Sequence, residues 1–253
     1  MSKRLRTIGI TLFFVSLFGC GGNKILKEPQ SLELQGPLAV GADSRLVVAF
    51  DWVIVRDGPG TWSKNADWDE YYFRVKNVSS EEITINSIVV FDSLETMIQS
   101  SSKRKELIKG SKLASKRYDD EGVTVQAGLG GGALVAVGGA TAAAGVSVLS
   151  ATMAGAAGAA GAVGVLVAAP VLVVGGMLRG VNNSKVSREI ENRSTHLPLV
   201  LSEDSEVALD VFFPLSPSPV RIEFSYSGNE ADYLLTIDTA EALDGLHLVR
   251  AEE

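Results

Sequence analysis

Two textures of hydrophobic and polar positions share this chain. On either flank the period is two. Tyr71, Phe73 and Val75 alternate with Tyr72, Arg74 and Lys76, which predicts a strand with one apolar and one wet face. Asn77 to Glu81 reads as a turn, and Glu82 to Phe91 as the partner strand, with Ile83, Ile85, Ile88 and Val90 inward. The phase changes at Asn86-Ser87, which predicts a bulge. Upstream, Arg45 to Arg56 is rich in Val, Ile, Phe and Trp and is closed by Asp57-Gly58-Pro59-Gly60, a turn sequence. Alternation returns at Val207, Leu209, Val211 and Phe213, at Val220, Ile222, Phe224 and Tyr226, and at Tyr233, Leu235 and Ile237.

Between the flanks, from Gly122 to Leu178, no Asp, Glu, Lys or Arg occurs, and Gly, Ala and Val dominate. The run is more than twice the ~20 residues that an apolar helix needs to cross a hydrocarbon core, so a helical hairpin is expected. Small residues recur every four positions, at Gly128, Gly132, Ala136, Ala140 and Ala144 and again at Ala156, Ala160, Gly164 and Ala168. On helices these positions form smooth strips that let backbones approach closely. Such a hairpin is poorly stable alone in water, because each helical glycine costs about 0.8–1.0 kcal/mol relative to alanine. A bilayer, or a second copy of the hairpin, supplies what water does not. A Gly/Ala linker and a soluble buried hairpin are the plainer alternatives.

Basic residues flank the run: Lys103, Arg104, Lys105, Lys109, Lys112, Lys116 and Arg117 before it, Arg179, Lys185, Arg188 and Arg193 after it. A hairpin places both flanks on one side, next to anionic headgroups. The expected fold is mainly β, an immunoglobulin-like antiparallel β-sandwich interrupted by a Gly/Ala-rich α-helical hairpin. Its parts are a first half at 32–93, a basic and partly helical connector at 94–121, the hairpin at 122–178, a basic connector at 179–197 and a second half at 198–253. Two independent β-subdomains are the alternative.

The amino terminus adds an address. Met1 to Arg6 is basic, Ile8 to Phe18 is apolar, and small residues follow, the order of a secretory signal over 1–19. Leu17-Phe18-Gly19-Cys20 resembles the lipobox of bacterial lipoproteins. That resemblance implies cleavage before Cys20, a diacylglycerol on its sulfur and an acyl group on its amine. Gly21 and Gly22 after the cysteine, by the same resemblance, imply an outer-membrane anchor facing the periplasm. Residues 20–31 then read as a tether. The lipobox and the Gly-rich hairpin together resemble the glycine-zipper outer-membrane lipoproteins of the 17-kDa surface-antigen type. The segment Val75 to Ile85 resembles the strand-turn-strand of immunoglobulin-like periplasmic modules.

Formal net charge is −7, which argues against nucleic acid as a partner. Cys20 is the single cysteine, so no intramolecular disulfide or cysteine metal cluster is expected. His196 and His247 have no carboxylate or cysteine at metal-ligand spacing and read as edge-loop residues. Asn65, Asp67 and Asp69 start like a calcium loop, but Glu70 stands where the turn needs glycine and Lys76 where the last carboxylate belongs. A solvated loop beside Trp62 and Trp68 is expected instead. No nucleotide-binding or nucleophile-elbow motif is present, so no catalytic residue, metal or cofactor is assigned. The expected function is a non-enzymatic, lipid-anchored envelope protein. Its partners would be membrane lipid, other copies through the hairpin, and an envelope protein. A pore-forming protein and a passive periplasmic binding module are the alternatives.

Overall fold

The computed structural model describes residues 23–29, 36–128, 183–229 and 231–249. The signal at 1–19, Cys20, residues 129–178 of the expected hairpin and residues 179–182 of the connector after it lie outside them. The described chain is mainly β. Strands β1 (Lys24–Ile25), β2 (Ala39–Ala42), β3 (Leu46–Ile54), β4 (Ser63–Lys64), β5 (Trp68–Asn77), β6 (Ile83–Phe91) and β7 (Met97–Gln99) precede helix α1 (Arg104–Asp120). Helix α2 (Asn183–Arg193) is followed by β8 (Leu199–Leu201), β9 (Glu206–Pro214), β10 (Arg221–Ser227) and β11 (Asp232–Asp238).

Two antiparallel sheets share one core. One has the order β2-β3-β5-β9; the other has β11-β10-β6-β7, with β8 also paired to β6. Strands from before and after residues 129–182 pair within both sheets: β5 with β9, and β6 with β8 and β10. The alternating positions named from sequence supply the inner faces. Phe50, Tyr71, Phe73, Phe213 and Phe224 are fully buried. Phe73 meets Phe224 of the opposite sheet edge-on at 5.1 Å, a favoured aromatic geometry. The bulge expected at Asn86 is present, since Ser225 faces Ser87 while Tyr226 faces Ile85.

One expected pairing is wrong. β5 and β6, read as partners, lie in different sheets. The buried Asn77 side chain redirects the chain. Its amide donates to Glu81 O (2.7 Å) and to Ser202 O (3.0 Å), while its oxygen accepts from Ser79 N (2.9 Å). An Asx-type turn of this kind ends one ladder and lets the next strand start elsewhere.

The expected start of the hairpin also moves. Helix α1 stops with Gly122 at φ +77°, where Gly122 N donates to Asp119 O (3.0 Å) and Val123 N to Tyr118 O (2.8 Å). This paired closure is a Schellman cap, for which glycine is the favoured residue. Val125 then bridges to Leu248, with Gln126 N donating to His247 O (2.9 Å). Residues 123–126 thus border the β core instead of opening a helix. Among the described residues, no helix is long and apolar enough to cross a membrane.

Candidate functional site

The two helices lie on the outer face of the β2-β3-β5-β9 sheet and flank the 129–182 segment in sequence. Beneath them is a second apolar cluster of Trp62, Ala66, Trp68, Leu107, Val186, Ile190 and Phe212, joined by Ile25 and Ile108. Helix α1 buries Leu107, Ser111, Ala114 and Tyr118, positions on a single helical face. Gly110 lets it approach β9, because a Cβ there would stand 2.5 Å from Pro214 Cγ. Ser111 Oγ accepts from Leu215 N (2.9 Å) and reaches Asp67 O (2.6 Å). Helix α2 has only Val186 and Ile190 to bury.

Charge supplements that thin apolar contact. Arg193 donates to Glu189 Oε1 (2.9 Å) and to Glu70 Oε1 (3.4 Å), and its guanidinium lies 4.8 Å from the Trp62 ring centroid. Trp62 Nε1 donates to Glu70 Oε2 (2.6 Å). Burial raises the pKa of Glu70 against the opposing pull of Arg193. Burial and then the Glu70 charge push Asp210 up to about 7, again against Arg193. Close buried carboxylates resist double ionisation.

The amino-terminal residues join the same layer. β1 pairs with β4, so Lys24 and Ile25 are held on the domain and are not part of a free tether. Asn23 is buried; its amide donates to Asn65 O, and its oxygen accepts from Arg104 Nη1 (2.6 Å). Arg104 Nε donates to Ser187 Oγ (3.2 Å), and Ser187 Oγ donates to Asn183 O (2.9 Å). One hydrogen-bonded path therefore links Asn23, the first turn of α1 and the first turn of α2. Asn23 is three residues beyond Cys20 in sequence.

Of the residues singled out from sequence, Cys20, Gly132, Ala136, Ala140, Ala144, Ala156, Ala160, Gly164 and Ala168 lie outside the described residues. Gly128 is buried at φ +112° and is not helical, so the small-residue strip does not begin there. His196 is exposed between α2 and β8, as expected. His247 is not an edge residue: it is fully buried, with Nε2 2.8 Å from Asp69 Oδ2, and Asp69 is equally buried. No solute reaches that pair from outside.

The segment around Trp62 and Trp68 is not a solvated loop either, since both indoles are buried. Asp67 pairs with Arg56, while Asp69 turns inward to His247. Sequence reading missed Glu70, Asp210 and Arg193. Glu70 and Asp210 are two among several charged residues of β5 and β9, and Arg193 lies in helix α2, so nothing local singles them out.

No family model, curated protein or solved structure matches the chain.

Proposed function

We propose that this is a non-enzymatic, lipid-anchored protein of the bacterial cell envelope. An acyl anchor at Cys20 holds an immunoglobulin-like β-sandwich on the periplasmic side of the outer membrane. The small-residue segment beyond Gly128 forms a helical hairpin that enters the membrane or zips against a second copy.

The observation that carries this reading is the hydrogen-bonded path from Asn23 through Arg104 to Ser187. It roots the chain that follows the lipobox cysteine beside the helix that follows the charge-free run. A lipid anchor and an apolar hairpin acting on one bilayer need their roots on one face of the domain. Two antiparallel sheets around a single core support the sandwich reading.

Intact-mass analysis of the chain recovered from bacterial membranes tests the anchor. The expected species starts at Cys20 and carries acyl groups, and Cys20→Ser leaves an unacylated chain. A mature chain with a free Cys20 thiol would refute the anchor. For the hairpin, replacing Gly132, Ala136 and Gly164 with Leu should abolish detergent-resistant oligomers or membrane insertion. Unchanged assembly and unchanged insertion in that variant would remove the small-residue strip from the reading.

The alternative of a binding module draws on a separate feature. A groove of about 380 Å³ lies on the outer face of the second sheet, lined by Ile88, Val89, Met97, Gln99 and Leu234 among others. Met97 and Leu234 are exposed there, and exposed apolar patches often mark contact sites.

A further inference from the structure

We infer that the solvent face of α1 is a docking surface for an anionic lipid bilayer, with Lys105, Lys109, Lys112 and Lys116 set against headgroups and Leu113 in the interface. The inference rests on the membrane-anchored reading above and names the lipid chemistry and the face that meet.

Four observations carry it. First, the lysines are spaced four, three and four residues apart, which aligns them on one side of a helix. That side is opposite the buried Leu107, Ser111, Ala114 and Tyr118, and all four lysines are exposed. Second, none of the four forms an ion pair among the described residues; the nearest lysine pair is that of Lys103, just before the helix, with Glu106. Third, α1 carries six basic and three acidic residues in a chain of net charge −7. Positive charge is therefore concentrated against the overall balance. Fourth, Leu113 is 52% exposed within the lysine row.

An apolar side chain flanked by long cations fits an interface, where leucine reaches the acyl boundary and lysines snorkel to headgroups. A dissolved polyanion has no use for the leucine. Attraction between lysines and an anionic surface adds per residue and decays within a Debye length, about 8 Å at physiological salt. The first turn of α1 is hydrogen-bonded to Asn23, so an anchor at Cys20 would tether this helix close to the bilayer. Leu113 and the lysines then set the orientation of the domain on the membrane.

The test is co-sedimentation of the full-length Cys20→Ser chain with vesicles of phosphatidylcholine alone, or with roughly one third phosphatidylglycerol. Binding to the anionic vesicles should exceed binding to the neutral ones and should fall as salt rises. Replacing all four lysines with Gln should weaken anionic binding by about tenfold or more, and Lys→Arg at the same positions should preserve it. Circular dichroism of the Gln variant controls for folding, and Leu113→Ser gives a second, smaller loss on the same vesicles. Equal binding of wild type and Gln variant, or indifference to phosphatidylglycerol, overturns the inference. Binding to a soluble polyanion as tight as to anionic vesicles, with Leu113→Ser silent, also overturns it by assigning the face to a different partner. The mass of Cys20 from cells is read separately, so an unacylated cysteine refutes the anchor while leaving the vesicle result to stand or fall alone.

Discussion

The two hydrophobic clusters of this protein are built differently. Between the sheets, aliphatic side chains and stacked rings fill the space, with Asp69 and His247 as an inward polar pair. Beneath the helices, two tryptophans and a few aliphatic residues are accompanied by Glu70, Asp210, Glu189 and Arg193. Dispersion and apolar burial dominate the first. The second depends on how charge is distributed, and it fastens both helices that flank the charge-free run. The sheets define the domain, while the helical layer covers one of its faces.

Substitutions should separate the two regions. The largest effect is expected for Phe73→Ala, which empties the ring contacts between the sheets and should cost about 3–5 kcal/mol. Urea unfolding should show the loss in every probe at once. Ile190→Ala should cost about 2–4 kcal/mol locally, with hydrogen exchange rising in α2 while β5 and β6 stay protected. Equal deprotection of the sheets would erase the distinction between the regions. Gly110→Ala should cost about 1–3 kcal/mol by forcing α1 away from Pro214. Tyr118 fluorescence or the exchange of α1 would report it.

The smallest effect is in pH. Asp210 has its pKa raised from 3.8 to about 7 in the fold, so the folded protein keeps a proton that the unfolded chain releases in that window. Its contribution to stability therefore declines as pH rises from about 4 to 7 and is flat above. Asp210→Asn should flatten the slope of the urea midpoint between pH 5 and 8 and raise the midpoint at pH 8. Glu70, also raised, should leave a residual slope. An unchanged slope in the Asn variant would show that Asp210 titrates normally.

Much of the strand content was legible because a half-buried strand must alternate. Tyr71, Phe73 and Val75, and the phase change at Asn86, are local consequences of which face is dry. Partner choice is not local. Asn77 ends one strand with hydrogen bonds to residues more than a hundred positions away, so β5 and β6 looked like a hairpin. Taking absence of charge as one unit concealed a cap: Gly122 already carried the stop for α1, and Val125 already belonged beside Leu248. Helix α2 gave little signal because two apolar residues suffice once Arg193 is held by Glu70. The Asp69–His247 pair, 178 residues apart, left no trace in spacing.

The central claim is that the helical layer faces the membrane and the second sheet faces away from it. A photo-crosslinking amino acid placed at Leu113 of α1, and separately at Leu234 of β11, tests it in intact envelopes. Both positions are exposed, on opposite outer faces of the domain. The account predicts lipid adducts at position 113 and none at 234; adducts at 234 alone, or equally at both, would contradict it.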